Sequence, residues 1–158
     1  MNSKGFTLIE LVVVIVILGI LAVTVAPKYI NLKADAQTST LEGVEAAMQG
    51  ASALVYGKSI VKGNHKDPAS DNPTVEIANG IVISIIYGHP SDVLNDWRDK
   101  LLKLDLSTFA YTDTVDDTII IYLAEHDEPT SASQDCLTFY KISTGVGLKP
   151  EMGTNACL

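Results

Sequence analysis

Cysteine is nearly absent from this chain, with two residues in 158, and histidine and tryptophan are scarce, at three and one. His65, His89 and His126 stand alone, with no His-x-x-x-His or Cys-x-x-Cys spacing to seat a transition metal. No Gly-x-Ser-x-Gly elbow, phosphate-binding loop or dinucleotide fingerprint occurs, and His126-Asp127 beside several serines is ordinary composition. No catalytic residue and no cofactor is therefore assigned. Positive charge is also short: 11 Lys and Arg against 19 Asp and Glu give a net charge of −8, which argues against a nucleic-acid partner, whose phosphates need a basic surface.

Charge of either sign is missing from Leu11 to Ala26, and Glu10 is the only ionisable side chain between Phe6 and Ala26. With Phe6 to Ile9 added, this segment approaches the ~20 apolar residues that span a bilayer as a helix. A carboxylate at the bilayer centre costs roughly 2.5–3.5 kcal/mol, less near the interface, so Glu10 either lies at the membrane surface or has a cationic partner. In the first turns of the helix the macrodipole favours it. Lys4 ahead of the run places the N-terminus in the cytoplasm, although Lys28 and Lys33 beyond it weaken the contrast. Gly19 and Pro27 interrupt the helical pattern, and proline predicts a kink or local melting near Ala22 to Ala26. Gly19, Ala22 and Ala26 are small enough to let neighbouring helices approach closely.

Met-Asn-Ser-Lys-Gly followed by Phe-Thr-Leu-Ile-Glu and a long aliphatic run resembles the class III signal of type IV prepilins and their pseudopilin relatives. The resemblance implies a leader, residues 1–5, cut after Gly5 by a membrane-embedded prepilin peptidase that also methylates the new N-terminal Phe6. It implies that Glu10 pairs with the N-terminal ammonium of a neighbouring subunit, and that the helix weakens between Gly19 and Pro27 in the assembled fibre. The short leader and Phe6 resemble the type IVa subclass. The Val-Val-Val-Ile-Val-Ile-Leu-Gly run, the Tyr-Gly-His-Pro turn and the C-terminal cysteine pair are most similar to mannose-sensitive haemagglutinin pilins. The implied function is structural: a subunit that polymerises with copies of itself into an extracellular fibre for surface attachment, motility or DNA uptake. Its implied partners are the peptidase, the inner-membrane assembly machinery and an outer-membrane secretin, with the precursor held as a single-pass inner-membrane protein. No receptor is indicated.

Three other readings compete. An ordinary secretory signal would use Thr24-Val25-Ala26 as its cut site, but Pro27 would follow the cut and Glu10 would interrupt the apolar region. A type II secretion pseudopilin shares the signal, but the cysteine pair counts against it. A monomeric anchored binding module needs only the anchor and a folded domain.

The helical pattern does not stop at the membrane. Leu41, Val44, Met48, Ala51 and Val55 recur at helical spacing, widened by Ala47 and Leu54, and predict one helix from Phe6 to about Tyr56 with a frayed turn to Lys62. Residues 6–27 form the membrane and assembly half, 28–62 the amphipathic half, and 63–158 a globular head. In the head, Val75 to Tyr87 predicts a strand region with Asn79-Gly80 as a hairpin turn. Ser91 predicts the N-cap of a short amphipathic helix carrying Leu94, Trp97, Leu101 and Leu104, with Trp97 read as core and a ligand-stacking role as the alternative. Thr118 to Ala124 and Cys136 to Ser143 predict two more strands, followed by an irregular tail. The fold class is α+β, a long helix packed on a small antiparallel sheet.

Between Lys103 and Lys141 there is no Lys or Arg, yet eight acids occur. Asp113, Asp116 and Asp117, with Glu125, Asp127 and Glu128, are candidate calcium ligands, but they lack the spacing of a calcium loop and read more simply as a solvated acidic face. Cys136 and Cys157 lie beyond the membrane, where disulfides persist, and are expected to pair and close a loop at the tail.

Overall fold

The structure is a computed structural model that describes residues 6–158. One helix, α1 (Leu8–Lys62), accounts for 55 of them, and at 1.5 Å per residue it is roughly 80 Å long, far longer than the head is wide. It continues through Gly57 to Lys62 with no frayed turn. Gly63, at φ 83°, then stops it, as the N–H groups of Gly63 and Asn64 turn back onto the carbonyls of Ile60 and Ser59.

The two halves of α1 meet different surroundings. From Leu8 to Val25 no side chain is covered by the rest of the chain. In the second half Leu41, Val44, Met48, Ser52, Val55 and Ser59 are buried, at spacings of three and four that place them on one face. Removing each of the four apolar members from water is worth roughly 1.5–3 kcal/mol. Ala47 and Leu54, expected to widen this stripe, are exposed instead, and the polar Ser52 and Ser59 take their place.

Ser59 is buried because another segment comes very close. Strands β1 (Thr74–Ala78), β2 (Ile81–Ile86) and β3 (His89–Pro90) form an antiparallel sheet in that order. The β2–β3 turn is Tyr87-Gly88, with φ 49° and 86°, the pair of positive values that a two-residue hairpin requires. A Cβ on Gly88 would stand 2.8 Å from the Ser59 hydroxyl oxygen, so only glycine allows the turn to rest on α1. The Ser59 hydroxyl donates to the Gly88 carbonyl across this contact.

Strands β4 (Phe109–Thr112), β5 (Thr118–Leu123), β6 (Leu137–Lys141) and β7 (Glu151–Asn155) form the second sheet, a four-stranded antiparallel meander. Its inner face presents Ile119, Ile121 and Tyr140 to Val44 and Met48 of α1, with Trp97 completing the cluster. The outer face is covered at one end by the β5–β6 loop. There Pro129 is buried, its carbonyl accepts from the Thr114 hydroxyl, and Glu128 accepts from the Thr112 hydroxyl.

The short helix after β3 departs from expectation. It spans Asp96–Leu102 in wide π-type turns after a lead-in at Leu94, and Ser91 does not cap it. Instead the Ser91 carbonyl accepts from Trp97 Nε1 at 2.8 Å. The start of the helix is held by buried Asp96, whose carboxylate accepts from the Ser84 N–H and from Lys100. Trp97 is fully buried and its ring lies 4.4 Å from that of Tyr140, so it is core and leaves no face for a ligand. Trp97→Ala should destabilise the head by about 3–5 kcal/mol, the cost of an emptied aromatic site. Chemical denaturation of the detergent-solubilised chain, followed by circular dichroism, measures it, and a loss under 1 kcal/mol would contradict the packing.

The tail is more ordered than its composition predicts. Glu151–Asn155 forms β7 and pairs with β6 from Lys141↔Glu151 to Leu137↔Asn155. Thr154 donates to Glu45 of α1, and the Cys157 N–H donates to the Thr38 hydroxyl. Cys136 and Cys157 are bonded to each other and pack against Leu41 and Leu123. The bridge thus joins two segments that already share a ladder. Cys136→Ser should lower stability by up to about 3 kcal/mol, the chain-entropy value for a closed loop of roughly this length, while β7 amides keep their protection in hydrogen exchange. Loss of protection across the whole of β7 would show that the ladder depends on the bridge.

Candidate assembly segment

The exposed half of α1 begins with a capping box that ties one of its few polar groups into the helix start. Thr7 is extended, with φ −82° and ψ 149°, and caps the helix. Its hydroxyl accepts from the Glu10 N–H, while Glu10 Oε2 accepts from the Thr7 N–H at 2.8 Å and from the Thr7 hydroxyl at 2.6 Å. This reciprocal arrangement satisfies donors that the first turn of a helix otherwise leaves open. Both contacts fall on Oε2, and among the described residues no donor reaches Oε1. The sequence reading missed Thr7, although a Thr three residues before a Glu at the head of an apolar run is the signature of such a box.

Phe6 stands just outside the helix and is 78% exposed. Gly5 lies outside the described residues. Gly19 sits within α1 with nothing near the position a Cβ would take, and Pro27 lies inside the continuous helical span. Further along, Gly43, Gly50 and Gly57 recur every seven residues on the side of α1 turned away from the head, again with open space where a Cβ would be. Ala46, Ala47, Ala53 and Leu54 extend that outward face, and all are exposed. A helix side facing water is normally polar, and this one is not.

The acidic residues do not converge. Asp113, Asp116 and Asp117 are exposed on the β4–β5 turn. Glu125 sits beside α1, where Lys33 at 3.3 Å and Gln37 hold its carboxyl below the usual carboxylate range. Asp127 is exposed, and Glu128 is taken up by Thr112. Among the described residues no group of three or more His, Cys, Asp or Glu side chains is placed to hold a metal ion.

Comparison with known proteins bears on the same segment. A family model described as the prokaryotic N-terminal methylation motif matches residues 1–26. The chain is 36% identical over 114 residues to the type IV major pilin protein PilE1 of Neisseria gonorrhoeae, covering 65% of this chain and 67% of that protein. It is 34% identical over 118 residues to a fimbrial protein of Neisseria meningitidis, covering 65% of each. It is 43% identical over 54 residues to the type IV narrow pilus major component PilA5 of Thermus thermophilus, covering 34% of this chain and 47% of that protein. The chain thus spans about half to two thirds of the length of these curated relatives. No solved structure matches it.

Proposed function

The chain belongs to the type IV pilin family, and from that membership we propose that it is a structural subunit that polymerises through the exposed half of α1 into an extracellular fibre. The observation that carries this is the contrast within one continuous helix. Its second half is anchored to a head by a buried stripe, while its first half from Leu8 to Val25 is apolar and wholly uncovered. Such a segment needs lipid or other copies of itself around it.

Before assembly the apolar half spans the inner membrane, with the head outside the cytoplasm. The peptidase cuts after Gly5 and methylates Phe6. On extraction, lipid is replaced by neighbouring helices. Apolar association gains little between helices inside a bilayer, so specific groups must drive the exchange. Glu10 is the candidate group, its carboxylate accepting from the Phe6 ammonium of a neighbour. The Gly and Ala side of α1 gives other helices room to approach. The inner-membrane assembly machinery and an outer-membrane secretin would move the growing fibre outward, and surface attachment is its proposed use. The relatives named above are pilus and fimbrial components, so the pseudopilin alternative is not favoured.

Electron microscopy of fibres sheared from cells, with mass spectrometry of their subunit, tests the proposal. The expected result is a fibre built of this chain, starting at a methylated Phe6. Fibres lacking this chain, or a subunit that starts at Met1 or Pro27, would overturn it.

A further inference from the structure

The two sheets of the head are not continuous: one ends on β3, the other on β7, and both of these edge strands lie against α1. Where β3 and β7 flank the helix there is a cleft of about 490 Å³, lined chiefly by Gln49, Ser52 and Tyr56 of α1, His89 of β3, Lys149 of the loop before β7 and Met152 of β7. No acidic side chain lines it. Lys149 is exposed and makes no ion pair among the described residues. His89 is only 9% exposed. Its ring stacks on Tyr56 at 4.5 Å, and its Nδ1 lies 3.2 Å from the Ser52 hydroxyl. Nε2 has no hydrogen-bond partner among the described residues and lies at the wall of the cleft. Burial, and then the nearby Lys149 ammonium, hold the imidazole below its ordinary pKa, so it is neutral at neutral pH. In the tautomer whose Nδ1 accepts from the Ser52 hydroxyl, Nε2 carries the ring proton, so the cleft offers one fixed positive charge and one nearly buried N–H donor, which suits a carboxylate.

The chain carries the complementary surface itself. The β4–β5 turn, residues 113–117, presents Asp113, Asp116 and Asp117, all exposed and in no ion pair among the described residues. Thr118 pairs with Lys141, and Lys141 with Glu151, so this turn and the loop bearing Lys149 lie at the same end of the four-stranded sheet. They sit at opposite edges, since the strand order is β4-β5-β6-β7. With anchors parallel, displacing one copy across the strands brings its β4–β5 turn towards the β7 edge of the next. A contact between two different surfaces repeats without closing when its rotation does not close, which is what a filament requires.

We propose that the cleft between β3 and β7 is a lateral socket for the Asp113-Asp116-Asp117 turn of a second copy of this chain, with Lys149 and His89 Nε2 receiving its carboxylates. This rests on the fibre reading and adds to it a head-to-head contact independent of the apolar helix. A zero-length carbodiimide, which joins a carboxylate to a lysine only where the two touch, tests it on intact sheared fibres. The expected products are a ladder of multimers on a denaturing gel and a peptide joining Lys149 to Asp113, Asp116 or Asp117. The Lys149-dependent rungs should vanish in Lys149→Gln fibres. Intact fibres whose Lys149 couples to another acid or to none would overturn the socket while leaving the fibre standing. If no fibre forms from the unaltered chain, the polymer reading fails and the socket with it.

Discussion

Glu10→Ala should leave the chain inserted in the membrane and cut at its normal site, while fibre yield falls to near zero. Removing the carboxylate makes the anchor more apolar, and an acidic side chain in lipid costs up to roughly 2.5–3.5 kcal/mol, so insertion is favoured by the change. What is lost is half of the capping box and the carboxylate proposed to receive a neighbour's ammonium. The capping loss is local and worth about 1 kcal/mol. The assembly loss recurs in every subunit, because an N-terminal ammonium at the positive end of a helix dipole, surrounded by apolar chains, then has no carboxylate to offset it. Electron microscopy for fibres, together with mass spectrometry of the membrane-held subunit, reads both halves of the prediction. Normal fibre yield would reduce Glu10 to a helix cap.

Gly5→Leu should block maturation almost completely, with the uncut chain accumulating in the membrane and no fibre outside. Proteases act on extended backbone, and the Thr7 cap ends α1 so that Phe6 stays outside the helix. A bulky residue before the scissile bond would obstruct a site that accepts glycine in this sequence. An uncut chain would also keep Lys4 and the leader ahead of Phe6, where the assembly reading needs a free ammonium. Mass analysis of the membrane fraction distinguishes the outcomes, and a mature Phe6 terminus in the Gly5→Leu strain would remove Gly5 from the recognition site.

Much of this architecture was legible because its signals are periodic. The uncharged run, the stripe Leu41, Val44, Met48 and Val55, and the β-branched runs in β2 and β5 each carry a pattern that burial imposes. Strand β7 carried none. Glu-Met-Gly-Thr-Asn looks like a turn, yet Gly153 lies under the Phe139 ring, where a Cβ would meet the ring at 3.1 Å, and Thr154 is held by Glu45. Its strand state comes from partners distant in sequence. Ser59 was unreadable for the same reason, since its burial depends on the Gly88 turn 29 residues away. Strand β4 was missed, and the short helix was foreseen without its π-type turns or its true anchor, because each detail rests on tertiary partners, the Phe109–Thr112 pairing with β5 and the Asp96 carboxylate, rather than on local propensity. In the assembly segment, Glu10 was conspicuous by its charge, whereas Thr7 looked like one more residue of the signal.

The Cys136–Cys157 bridge also sets how the head responds to tension. A load applied to the outer surface and resisted by α1 would shear the head along the helix, then draw out the chain beyond Lys62. Between Lys62 and Cys136 lie 136 − 62 = 74 residue steps, which at ~3.3–3.6 Å each extend to roughly 250 Å. At Cys136 the pulling path crosses the covalent link, so the residues between the two cysteines add no length. In the proposed fibre, a subunit pulled through this bridge would lengthen by a bounded amount and then hold.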